Sequence, residues 1–153
     1  MSGDCGWAGT ILRVNLTDGK VMKQPFPEEW KEMYLGGRTL NSKILFDEVP
    51  PNADPLGPEN ILIIGTGPLT GILGPGTGRF TVTAKSPLTG IHGDANCGGD
   101  FGAELKYAGY DHVVISGKSP KPVYLWIDDG NIEIRNASMI WGKTVFEADQ
   151  VIK

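Results

Sequence analysis

Residues 77–118 read TGRFTVTAKSPLTGIHGDANCGGDFGAELKYAGYDHVVISGK, and the way this stretch divides decides the architecture. From Arg79 to Lys85 the side chains alternate with the period of a β-strand. Phe80, Val82 and Ala84 point one way; Arg79, Thr81, Thr83 and Lys85 point the other. A glycine-rich loop follows over residues 86–99. A helix then runs from about Asp100 to Ala108, and Gly109 ends it in the left-handed conformation. Residues 112–115 form the next strand, so strands and a helix are mixed within one short segment.

The flanks extend the same mixture. Residues 10–16 make a strand with Leu12, Val14 and Leu16 on one face, and Asp18 with Gly19 turns it into a returning strand over residues 20–23. Pro27 opens a short helix whose apolar side is Trp30, Met33 and Tyr34, and Gly36 and Gly37 end it. A second helix passes through Leu40, Ile44 and Leu45 and stops before Pro50. Residues 61–64 are a short apolar strand and residues 65–78 a long loop. Beyond the central segment, residues 123–127 and 132–134 are strands joined at Asp129 and Gly130. Thr144 and Glu147 have capping-box spacing and start a helix with Val145, Phe146, Ala148, Val151 and Ile152 apolar. That helix is still running at the last residue, which reads either as a single domain, 1–153, cut short at its C-terminal end or as a natural terminal helix.

Pro68-Leu69-Thr70-Gly71 recurs as Pro87-Leu88-Thr89-Gly90, each time after a strand. Either the two turns sit at the same edge of one sheet and build a concave site from backbone groups, or PLTG is simply a good turn sequence.

Bulk properties exclude several classes. The chain has 153 residues, 40% of them hydrophobic and 21% charged, as in an ordinary soluble domain. A net charge of −4 opposes a nucleic-acid or anionic-membrane partner. The 22 glycines, many of them between Gly57 and Gly102, mark tight turns and places where a ligand approaches the backbone. Cys5 and Cys97 make neither a disulfide framework nor a CxxC motif, so this chain alone does not hold an iron–sulfur cluster. No run approaches the ~20 apolar residues of a membrane span, and the start MSGDCGWAGT is no signal peptide, so a cytoplasmic location is expected.

The candidate chemistry lies in residues 94–102, DANCGGDFG. Glycines ahead of a helix let backbone N–H groups face an anion, so this is either a phosphate or pterin cradle or a structural loop. It matches neither a Walker loop nor a GxGxxG fingerprint after a strand. Arg79 either pairs bidentately with a phosphate or is a solvated surface arginine. The amide oxygen of Asn96 either ligates a hard cation such as Mg²⁺ between phosphates or satisfies local backbone. His92 and His112 stand too far apart in sequence to suggest a metal site. Cys97 has no histidine placed to activate it and reads as a small buried residue. Glu104 and Lys106 read as an outer helix face or a salt-bridged pair.

These strings resemble a known family. GTGPLTG at 65–71, TGRFTVTAKSPLTG at 77–90 and ANCGGDFGAELKYAGYDHVVISGK at 95–118 are similar to the N-terminal domain of the tungsten-containing aldehyde ferredoxin oxidoreductases. ILRVNLTDGK, LGGR at 35–38 and NASMIWGK at 136–143 fit too, so the resemblance covers the chain from about Trp7 onward. It implies an α+β fold of mixed β-sheets with a few helices, on which a bis-pterin tungsten (or molybdenum) cofactor lies. In the full-length enzymes it implies aldehyde oxidation to carboxylic acids, with electrons leaving through a [4Fe–4S] cluster to ferredoxin. Residue by residue, Arg79 corresponds to a pterin-contacting arginine and Asn96 to the asparagine on the Mg²⁺ joining the pterin phosphates. Cys97 and Gly98 fall where loop backbone holds the pterin. Position 97 is commonly serine in the family, and Asp100 stands where an aromatic residue is usual.

The resemblance assigns no catalytic residue to this chain. Family members are several times longer, so the chain alone is expected to be inactive, and a stand-alone pterin-binding or assembly module is the alternative. A subunit of the related benzoyl-coenzyme A reductase type is another. Apolar surface left uncovered in an incomplete domain would draw copies into a homo-oligomer.

Overall fold

A computed structural model describes residues 5–152. The strands are β1 (Thr10–Asn15), β2 (Lys20–Pro25), β3 (Ile61–Thr66), β4 (Phe80–Lys85), β5 (His92–Cys97), β6 (His112–Ser116), β7 (Val123–Asp128) and β8 (Asn131–Asn136). The helices are α1 (Glu28–Tyr34), α2 (Gly37–Glu48), α3 (Phe101–Tyr107) and α4 (Val145–Ile152). One mixed sheet has the order β2-β1-β6-β3-β4-β5, and β7 with β8 forms a separate hairpin. Only β1 and β6 pair in parallel; every other neighbour is antiparallel. The α+β class is the one the sequence resemblance implied.

Alternation along the central strands splits the core in two. Ile11, Ile61, Ile63 and Val114 point to one face, where Leu40, Ile44 and Leu45 of α2 cover them together with Phe26. Leu12, Val14 and Val113 point to the other, against Leu105 and Tyr110, with Leu125, Ile127, Ile132 and Ile134 of the β7–β8 hairpin packed alongside. Apolar residues at three- and four-residue spacing make α2 helical and aim it at the sheet. The second cover reaches only part of the sheet: Leu62 is 41% exposed, and Ala95 and Cys97 are exposed on β5.

The structure adds to or departs from the sequence reading at three places. The loop expected over residues 86–99 contains β5, whose HGDANC has none of the branched residues that announce a strand. Its polar side chains are taken up by α2: Arg38 pairs with Asp94 at 2.7 Å, and Ser42 bonds His92 at 2.9 Å. The alternating faces of β4 are inverted from the usual sense. Thr81, Thr83 and Lys85 are buried beneath α2, while Phe80, Val82 and Ala84 stay half-exposed. Burial of the polar face holds because its groups find partners, with Lys85 Nζ donating to the carbonyls of Pro51 and Ala53 at 2.6 and 2.7 Å. Finally, the two PLTG turns do not share an edge. β3 and β4 are antiparallel, so the loops that follow them leave from opposite ends of the sheet.

Lys106 also departs from expectation, pairing with Asp111 at 2.9 Å and not with Glu104. Asp111, 1% exposed, accepts the Ala8 and Gly9 amides at 3.0 and 2.7 Å. This buried hub ties the start of β1 to the turn between α3 and β6. His112, next in the chain, is fully buried, and neither ring nitrogen has a hydrogen-bond partner. Burial lowers its pKa from 6.5 to about 4, against the opposing pull of the Asp111 carboxylate.

Replacing Lys106 by Met leaves the Asp111 carboxylate buried without its cation, and urea denaturation should then show a loss of about 3–5 kcal/mol. His112 gives a pH signature whose sign follows from its depressed pKa. As pH falls from 6.5 toward 4, the unfolded chain takes up a proton that the native imidazole does not, so stability declines across that window. The decline reaches on the order of 3 kcal/mol. Urea midpoints recorded from pH 7 to 4 should drop less steeply in His112→Met than in the native chain.

Candidate functional site

The N-terminus of α2, the start of β4 and the end of β5 meet at one end of the sheet. What delivers α2 there is a strained turn. Leu35 sits at φ 59° and ψ −53°, the γ-turn region that a non-glycine residue seldom occupies, and Gly36 N donates to Tyr34 O at 2.6 Å across it. Trp7 Nε1 donates to Leu35 O at 2.8 Å, and Thr39 Oγ1 donates to the Gly36 carbonyl at 2.9 Å. Gly36, at φ 144°, fits because a Cβ there would lie 2.9 Å from Thr66 O. The turn leaves the first N–H groups of α2 with no side-chain cap.

Arg79 and Asn96, chosen from sequence as separate candidates, are brought together. Arg79 Nη1 donates to Asn96 Oδ1 at 2.6 Å, and Asn96 Nδ2 donates to Thr81 Oγ1 at 3.1 Å. Arg79 has no carboxylate partner among the described residues, so most of its guanidinium donors face outward. Beside it a cavity of about 270 Å³ is lined by Leu35, the 67–70 loop, Thr77 and Arg79. Cys97 is exposed, not buried as its type suggested, and its thiol donates weakly to Gly98 O at 3.4 Å. Gly98 has open space above it. Asp100 is exposed at the N-cap of α3 and makes no capping bond.

Other groups drop out on geometry. Ser42 and His92 touch, yet the Arg38 carbonyl, also 2.9 Å from Ser42 Oγ, competes for the hydroxyl's single proton. Among the described residues no three His, Cys, Asp or Glu side chains converge as metal ligands. No described helix is long and apolar enough to cross a membrane.

Sequence reasoning missed Arg38, Asn41, Thr81, the pairing of Asp94 and the role of Gly78. A Cβ on Gly78 would lie 2.6 Å from Gly99 O, so the loops before β4 and after β5 touch backbone to backbone only because position 78 is glycine. Asn41 carried a readable signal: it falls on the apolar stripe of α2 between Leu40 and Ile44. The Arg38–Asp94 pairing carries none, since it depends on β5, a strand with the composition of a loop.

Comparison with known proteins gives one answer. The family described as aldehyde ferredoxin oxidoreductase, N-terminal domain, matches residues 11–153. A tungsten-containing aldehyde ferredoxin oxidoreductase of Pyrococcus abyssi is 52% identical over 97% of the chain, which spans 24% of that relative. An aliphatic sulfonate oxidoreductase subunit, WOR-like, of Pyrococcus furiosus is 42% identical over 88% of the chain and 22% of its own length. The solved active-site complex BamBC of benzoyl coenzyme A reductase with 1,5-dienoyl-CoA superposes with a TM-score of 0.94 at 42% identity. That match takes in 97% of this chain and 23% of the solved one. The chain thus spans about a quarter of the length of the curated relatives it matches, and it belongs to the aldehyde ferredoxin oxidoreductase family as its N-terminal domain.

Proposed function

We propose that this domain forms the phosphate-and-cation side of a pterin–tungsten site in an aldehyde:ferredoxin oxidoreductase. The observation that carries the reading is the exposed Arg79–Asn96 pair, a guanidinium and a carboxamide oxygen joined at 2.6 Å with no carboxylate on the arginine. One pterin phosphate takes the outward donors of Arg79. Asn96 would supply an oxygen to a hard cation such as Mg²⁺ held beside the phosphates. Cys97 and Gly98 contribute backbone at an open loop, and the serine-to-cysteine difference matters little if the side chain is not used. Bound there, the tungsten cofactor supplies two-electron oxidation of an aldehyde to a carboxylic acid. The residues of this chain bind and orient it.

The aldehyde reading is favoured over the benzoyl-coenzyme A reductase one by 52% against 42% identity. On this reading a [4Fe–4S] cluster and the ferredoxin contact would lie in the remainder of the full-length enzyme, of which this chain spans about a quarter. Exposed Phe46, Leu88 and Phe146 support self-association of the isolated chain.

Calorimetric titration of the 153-residue chain with magnesium pyrophosphate, a stand-in for two bridged phosphates, tests the site. Arg79→Ala should weaken binding about tenfold or more, the usual worth of a charge-assisted hydrogen bond. Asn96→Ala should remove its Mg²⁺ dependence. Equal binding by the native chain and Arg79→Ala would sink the reading. Sedimentation at rising concentration should show association, and a clean monomer at high concentration would count against it.

A further inference from the structure

We propose that the cavity beside Lys85 is a binding site for an apolar monocarboxylate, whose carboxylate meets the buried ammonium while its hydrocarbon tail lies on the apolar lining. The site stands about 20 Å from Arg79, six residues away along β4, and is independent of the cofactor reading.

The starting point is a charge without a counter-charge. Lys31 pairs with Glu28 at 2.8 Å and Lys106 with Asp111 at 2.9 Å, which is how a buried cation is normally tolerated. Lys85 is 9% exposed and has no carboxylate partner among the described residues. Its Nζ donates to the carbonyls of Pro51 and Ala53 at 2.6 and 2.7 Å. Those bonds occupy two of the three N–H groups of an ammonium, and they leave its positive charge without an anion.

The cavity supplies a place for one. It measures about 510 Å³, within the range of small-molecule sites, and Lys85 lies in its lining. Val49 and Pro50, where the chain leaves α2, line it together with Phe46 and with Ile91, just past the second PLTG turn. Phe46 and Ile91 are 87% and 68% exposed, so a tail laid across them removes apolar surface from water.

The lining also selects the ligand. One cation among apolar groups calls for one anion on a hydrocarbon body. A phosphate brings more charge and more acceptors than Lys85 can meet, and the remainder would be buried unpaired. A peptide strand fares no better, since the prolines of the lining have no N–H to offer its carbonyls.

Amide NMR titration of the 153-residue chain compares hexanoate, hexan-1-ol and hexylammonium, probes that share a tail and differ in charge. Hexanoate should shift the Val49, Ile91 and His92 amides saturably and bind about tenfold more tightly than hexan-1-ol, the usual worth of a charge-assisted hydrogen bond. Hexylammonium should not bind. Lys85→Met should reduce hexanoate to the level of the alcohol, and the comparison of probes on the native chain stands even where that variant does not fold. Ile91→Asp, at an exposed position, should abolish hexanoate binding by placing a second carboxylate in the lining. Arg79→Ala should bind hexanoate as the native chain does, so this site and the pyrophosphate site succeed or fail separately. Equal affinity for hexanoate and hexan-1-ol, or hexanoate binding retained in Ile91→Asp, overturns the proposal. So does the absence of saturable shifts at those amides, an outcome that would assign the missing counter-charge to a neighbouring polypeptide.

Discussion

The underside of β4 is polar, and that single constraint arranges the rest of the site. Thr81, Thr83 and Lys85 point into the space beneath α2, where an unpaired hydroxyl or ammonium is costly. Asn41 meets the two threonines, and the carbonyls of Pro51 and Ala53 meet the lysine. These bonds fix where α2 lies over the sheet. They thereby fix where its uncapped N-terminus emerges, and they set the position of Thr81 beside Asn96. The apolar contacts of Leu40, Ile44 and Leu45 hold α2 down but do not say where along the strands it sits.

Much of this was legible. The strand periodicity of residues 10–16 and 79–85 appears as β1 and β4, and the Thr144–Glu147 box closes as written, with Thr144 N donating to Glu147 at 2.8 Å. Arg79 and Asn96 were also legible as residue types suited to phosphate and cation. Their adjacency was not, because it comes from a strand pairing. β5 has the composition of a loop, and it is extended because it pairs with β4 along its whole length, while Arg38 and Ser42, one helical turn apart, take up Asp94 and His92. Local propensity carries no trace of partners supplied from fifty residues away. The same blindness misplaced the second PLTG turn, since a turn sequence announces a turn but not the direction of the strand it leaves. Burial of His112 was equally hidden, in a histidine at the head of an apolar strand.

Why a polar seam should underlie a binding site has a physical answer in strand register. An apolar β4–β5 pair could slide by two residues with little change in burial, since the same face would stay down. Such a slip would set Asp94 or Cys97's neighbour Gly98 near the place of Asn96, and the cation ligand would be lost. Here a slip of two would break Arg38–Asp94, Ser42–His92 and Asn96–Thr81 together. Each bond is modest alone, but they fail as a set, so the penalty for a shifted register is several times that of any one. The backbone contact of Gly78 with Gly99 adds a steric stop at the end of the same pair. A seam of hydrogen bonds and one ion pair thus does what an apolar layer cannot: it allows one register, and that register is the one that puts Asn96 beside Arg79.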